Sequence, residues 1–248
     1  MLRRMEQPPL LLLVTLVFLI AGTVKGLIGL GLPTISVGLL ALVLPPAEAA
    51  ALLLLPSLLT NIAQAAGPEL RPLLRRLWPT LVAILPGTLA GSFVIVSGDA
   101  ALPALGLALL AYAGWGLLTP PLRLPPTLER RGAVPVGLAT GLVTGATGVF
   151  VIPAVPWFAA LGLPRDALVQ ALGLGFLFAT LALGAGLALQ GSLSMPLAGG
   201  SALAVAPALA GQWLGTRLRG RLSATTFRRL FYVALLALGA QLAWRGIA

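Results

Sequence analysis

The sequence predicts an all-α, polytopic integral membrane protein, and three observations carry that reading. Hydrophobic residues make up 58% of the 248-residue chain and charged ones only 9%, where a soluble domain needs about a quarter charged. Mean hydropathy is +1.03, more apolar surface than a water-exposed fold can hide. The apolar residues also fall into runs bounded by Pro, Gly and Arg.

The runs come in order. The first extends from Pro9 to Leu30, after a charged start at Met1 to Glu6. It outlasts the apolar region of a signal peptide and shows no small-residue cleavage site, so a retained first helix is expected. A short run, Leu32 to Leu44, precedes longer ones at Ala47 to Ala66, Leu73 to Val96 and Ala100 to Leu118. The polar stretch Arg123 to Arg131 then marks a boundary. Beyond it lie Val134 to Val149, a short run Phe150 to Leu163, Ala167 to Gln190, Ser194 to Thr216, and Arg229 to Ala243. A spanning helix needs about 20 residues, so the two short runs are expected as half-helices or re-entrant arms.

The second five runs echo the first. Gly22-x-x-x-Gly26 pairs with Gly137-x-x-x-Gly141, and Gly29-x-Gly31-x-Pro33 with Gly145, Gly148 and Pro153. Pro46-x-Glu48 pairs with Pro164-x-Asp166, and Leu89-Ala90-Gly91 with Leu209-Ala210-Gly211, at offsets of about 115 to 121 residues. The order of the landmarks argues for two homologous transmembrane halves, 1–122 and 132–248, joined by a cytoplasmic linker at 123–131.

The excess of arginine in cytoplasmic loops orients them. With Arg123, Arg130 and Arg131 inside, twelve arginines are cytoplasmic, against Arg3, Arg4 and Arg245 outside with Asp99. If each short run pairs with its long neighbour, the halves are inverted; if the two form one broken helix, they are parallel.

With no Cys and no His, the chain lacks thiolate and imidazole metal sites and the usual neutral-pH general base. No cofactor and no metal are expected, and six carboxylates offer an enzyme little. The net charge of +10 collects at run ends, as in membrane proteins, so the expected contacts are a lipid bilayer and no nucleic acid. A homodimer is compatible with the composition.

The richest segment is Gly22 to Pro33, which contains the only lysine, Lys25. Gly29 and Gly31, followed by Pro33, disfavour continuous helix, and a break at membrane depth must line protein or a polar cavity. Lys25 there either snorkels to the near interface or faces a cavity and binds a small anion together with helix-start N–H groups. The second break, Gly141 to Pro153, carries Thr144 and Thr147, which either donate to substrate or bond back one turn. Asn61 and Gln64 share a helix face, one turn after Ser57, and Gln170 opens the corresponding second-half helix. These amides are interhelical ties or substrate ligands. Glu48 and Asp166 each follow a proline at a helix start, as dipole-complementing charges or as coupling sites.

Gly22-x-x-Lys-Gly-x-x-Gly-x-Gly-x-Pro33 resembles the first signature of the sulfite exporter TauE/SafE family. Leu55 to Gln64, Gly141 to Pro153, and Leu163 to Gly173 are similar to its following segments, so the resemblance covers nearly the whole chain. It departs at Leu30 and Leu32, where the family often has further glycines. The resemblance implies a bacterial inner-membrane permease of two repeats with about eight full spans, associated with export of sulfite, sulfoacetate and related anions. A secondary transporter of a small anion, working by alternating access, is therefore expected rather than an enzyme. A cation or metal permease using carbonyls at the breaks is the alternative. An intramembrane lipid enzyme would need Ser57 or Thr144 as nucleophile and Lys25 as base, and a scaffold would bind no ligand.

Overall fold

Prolines and glycines punctuate the chain into helices, and a computed structural model describes residues 8–98, 100–118, 123–219 and 224–247. Every described element is helical: α1 (Pro8–Ile28), α2 (Leu32–Leu40), α3 (Pro46–Ala65), α4 (Leu70–Ser97), α5 (Ala101–Leu118), α6 (Pro126–Thr147), α7 (Ala154–Ala160), α8 (Arg165–Leu189), α9 (Met195–Leu218) and α10 (Ala224–Ile247). Proline opens α3 and α6, where its missing N–H costs nothing. Gly29 at φ 82° and Gly31 at φ 114° end α1 and start α2 in backbone conformations that favour glycine.

Among the described residues, six helices (α1, α3, α4, α5, α8 and α9) are long and apolar enough to cross a membrane. The two short runs form α2 and α7, of nine and seven residues. The polar stretch 123–131 is only partly a connection. Pro126 starts α6 within it, and Glu129 complements the helix dipole in the first turn. Arg76 of α4 grips Glu129 through Nε at 2.7 Å and Nη2 at 2.8 Å. Asp99, Arg3 and Arg4 lie outside the described residues.

Glycine sets how the helices pair. Gly22 and Gly26 of α1 abut the Ala208 and Gln212 carbonyls of α9, so these helices run side by side in the same direction. Likewise Gly137, Gly141 and Gly145 of α6 abut Thr80, Ile84 and Thr88 of α4. The two environments match: Gly26 faces a carbonyl oxygen, an amide nitrogen and Gly215, and Gly141 faces a carbonyl oxygen, an amide nitrogen and Gly87.

α3 and α8 cross at the centre in opposite directions, with Gln64 reaching Val169 and Ser57 meeting Thr180. α5 and α10 also oppose one another, Gly106 against Gly239 and Gly116 against the Tyr232 ring. α2 does not continue α1. Gly29 is tied to Gln64 near the end of α3, whereas Val37 and Ala50 both approach Gly148, so α2 turns back along α3. Arg71, Arg75, Arg76, Arg130, Arg131, Arg165, Arg217 and Arg219 consequently gather at one end of the bundle, where α1 and α3 finish and α4, α6 and α8 start.

Candidate functional site

Lys25 sits in the last turn of α1, at the negative end of the helix dipole, where a cation is favoured. It does not snorkel: only 2% of its surface is exposed. Its ammonium donates to Thr60 Oγ1 at 2.9 Å and to Asn61 Oδ1, and it lies 5.6 Å from the centre of the Phe176 ring. All three partners are neutral. Among the described residues the one ion pair is Arg76–Glu129, between α4 and α6, and it does not include Lys25.

From Lys25 the hydrogen bonds run inward. Asn61 Nδ2 donates to Ser57 Oγ at 2.9 Å and to Thr180 Oγ1 at 3.3 Å. Thr180 donates to its own helix at Phe176 O, 2.7 Å away, so the 3.0 Å contact with Ser57 is a bond that Ser57 donates. Thr60 likewise donates to Pro56 O at 2.7 Å. The donors of α1, α3 and α8 thus form one chain, from ammonium to amide to hydroxyl to backbone.

The chain ends at a cavity of about 10 Å³ lined by Pro33, Ser57, Thr144, Gly148, Phe176 and Thr180, among others. That volume is about enough for one water. Two larger cavities, 350 and 290 Å³, lie beside α7 and α2. Apolar side chains line them, and they carry no chemistry of this kind.

The turn after Lys25 is sealed at the arginine-rich end. Gln64 Nε2 donates to Gly29 O at 2.7 Å and to Val169 O at 2.8 Å, joining the break to α8. Arg219, from the end of α9, donates to Gly26 O through Nε at 3.0 Å and Nη2 at 2.7 Å. The remaining acceptors Gln64 Oε1 and Gln212 Oε1 are buried without partners. Such orphans mark hydrogen bonding left incomplete among the protein's own groups.

The other residues singled out from sequence divide. Gly31 supplies the turn into α2 and accepts from Thr34. Thr144 lines the cavity but donates to Thr140 O at 2.7 Å, and Thr147 donates to Val143 O at 2.6 Å. Gln170 stands away from Lys25: it accepts from Glu69 N and donates to Ala66 O, both at 3.2 Å, and so latches the α3–α4 connection. Glu48 and Asp166 start α3 and α8 at opposite ends of the bundle, and neither lines the cavity.

Sequence reasoning missed Thr60, Phe176, Thr180 and Arg219. Thr180 had a usable signal, as the one polar side chain between Gln170 and Gln190. Lys25, the base an intramembrane enzyme would need, bonds Thr60 and Asn61, while Ser57 meets Thr180. Among the described residues no group of three acidic, His or Cys side chains could hold a metal.

The family model described as Sulfite exporter TauE/SafE matches residues 14–242. No curated protein and no solved structure gives a match.

Proposed function

Because the chain belongs to the sulfite exporter TauE/SafE family, a family of membrane transporters, we propose that it is a secondary carrier of a small anion, sulfite or an organosulfonate such as sulfoacetate. The observation that carries the reading is Lys25, a buried ammonium whose hydrogen-bond partners are all neutral. A buried ammonium pays several kcal/mol of desolvation, and an anion is the partner that offsets it. Protein oxygens occupy the donors of Lys25, Asn61 and Ser57 in the closed arrangement. Substrate oxygens take them over when the site opens.

Alternating access between two inverted repeats, 1–122 and 132–248, fits this site. The matched surroundings of Gly26 and Gly141 support the repeat, and the helix directions support the inversion. The arginine-rich end supports a cytoplasmic face there, with the bacterial inner membrane as the proposed location. Gln64 and Arg219 close that face over Lys25. No phosphate-binding loop occurs in the sequence, so a gradient or a partner supplies the energy.

The test is sulfite efflux from proteoliposomes. Lys25→Gln abolishes efflux while thermal unfolding in detergent shows a folded protein; undiminished efflux sinks the assignment.

A further inference from the structure

The short helix α7 does not hide all of its apolar surface within the protein. Its seven residues extend about 10 Å, a third of the hydrocarbon thickness. One face, with Ala154, Val155 and Phe158, is buried in the bundle. The other, with Pro156 and Trp157, looks into the 350 Å³ cavity, whose far wall is Ala111 and Trp115 of α5. Trp115 is 43% exposed, so the cavity is a groove that opens on the outer surface of the bundle.

The arginine-rich end of this groove is cationic. Leu124 lines the groove, and its N–H donates to Ala160 O at 2.8 Å; Arg123 comes immediately before it. Gly132 lies against the Trp157 ring, where a Cβ would not fit; Arg131 comes immediately before it. Both arginines are exposed. Arg76 and Arg130 answer the charge of Glu129, and Arg76 also donates to Leu161 O at 3.2 Å, just past α7. Arg123 and Arg131 thus flank the mouth of an apolar groove and are left for an external anion.

We propose that the groove between α5 and α7 binds an anionic phospholipid, with an acyl chain along Trp115, Ile152, Pro156 and Trp157 and the phosphate on Arg123 and Arg131. Arginine holds phosphate through two parallel N–H bonds, and basic pockets between helices on the cytoplasmic side take anionic headgroups. A zwitterionic lipid offers the same chains but brings its own cation to the arginines. Preference for the anionic lipid is therefore about fivefold per arginine and about 30-fold for the pair. A second copy of the chain, seated by two-fold symmetry, would set the same arginines against one another. The site adjoins the second break: Ile152 lines the groove, while Gly148 and Phe150 line the small cavity at Ser57. A bound chain braces α7 against that wall, whatever anion the carrier moves.

The experiment uses the full chain with Trp157 as its one tryptophan, Trp78, Trp115, Trp213 and Trp244 each being changed to Phe. Phosphatidylglycerol brominated on its acyl chains is titrated into phosphatidylcholine vesicles that contain the protein, and phosphatidylcholine brominated in the same way is the reference. Quenching of Trp157 gives a relative affinity of about 30 for phosphatidylglycerol. Arg123→Gln with Arg131→Gln brings the ratio near one, whereas Arg217→Gln, on α9, leaves it unchanged. Ala111→Phe fills the groove and removes the quenching with both arginines in place. Native mass spectrometry of the chain with all its tryptophans, taken from an equal mixture of the two lipids, shows phosphatidylglycerol retained, and lost in the double-arginine variant.

Equal affinity for the two lipids overturns the proposal. So does a preference that survives the loss of Arg123 and Arg131, or one that falls as far with Arg217→Gln, since the charge of the whole face then draws the lipid. Quenching undiminished in Ala111→Phe overturns it too, because the chain then lies elsewhere. A Trp157 that neither lipid reaches has the same force, with a second copy covering the groove. None of these readouts involves transport, so failure to move sulfite is a separate outcome.

Discussion

Alanine at Gly26 puts a Cβ 2.2 Å from the Gln212 carbonyl oxygen, 2.7 Å from Thr216 N and 2.8 Å from Gly215 Cα. All three are backbone atoms, so no side chain can swing aside. Ordinary contact begins near 3.4 Å, and α9 must retreat by about 1 Å along a face that is otherwise in contact with α1. Overpacking of that kind costs about 1–3 kcal/mol. Gly114 of α5 is the control, because a Cβ there meets nothing within 4 Å and alanine gains about 1 kcal/mol of helix propensity. The same substitution at the two sites therefore differs by about 2–4 kcal/mol. Equilibrium unfolding in mixed micelles with rising SDS measures the difference. Sulfite efflux falls as well for Gly26→Ala, since the displaced residue adjoins Lys25 and its 2.9 Å bond to Thr60. Equal stability of Gly26→Ala and Gly114→Ala refutes the reasoning.

Gln170→Ala removes the latch on Ala66 and Glu69 and lowers stability by about 1–2 kcal/mol; the affinity for sulfite, read by isothermal titration, stays unchanged. Thr180→Val keeps the shape and deletes the hydroxyl that Ser57 and Asn61 share. Transport falls about tenfold, equivalent to about 1.4 kcal/mol, with little change in melting temperature. The chain contains no cysteine, so Ser57→Cys is a lone thiol in the cavity wall. A maleimide labels it slowly, and adding Arg219→Ala, which frees Gly26 O, speeds the labelling several-fold.

Membrane residence was legible because charge is scarce throughout, and the half-helices because 13 apolar residues are too few to span the bilayer. The break was legible too: Gly29, Gly31 and Pro33 punctuate a run where helix would otherwise continue. What sequence could not supply was partnership. Lys25 and Asn61 each stood out as polar residues in apolar runs. Their contact depends on how α1 crosses α3, which tertiary packing decides. Gln64 and Gln170 looked alike, yet one ties the break beside Lys25 and the other ties a loop. The stretch 123–131 reads as a linker by polarity, but the ion pair between Glu129 and Arg76 belongs to a helix. Leu, Ala and Gly recur so often that several registers of the repeat fit equally well, and the backbone contacts of Gly141 and of Gly145 both match those of Gly26.

The seat of α1 against α9 bears on how the chain is made. Gly22 and Ala208, which touch, are 186 positions apart, so the first helix enters the bilayer with its glycine face bare. At about 5–20 residues per second, its partner arrives roughly 10–40 s later. Lys25 enters before Thr60 and Asn61 have reached the bilayer, and the leucines preceding it must keep α1 inserted in the meantime. α4 waits far less, because α6 follows it closely. A stop codon shortly before α9 is accordingly no mild truncation: it leaves the charged helix in lipid without the surface it was shaped to meet.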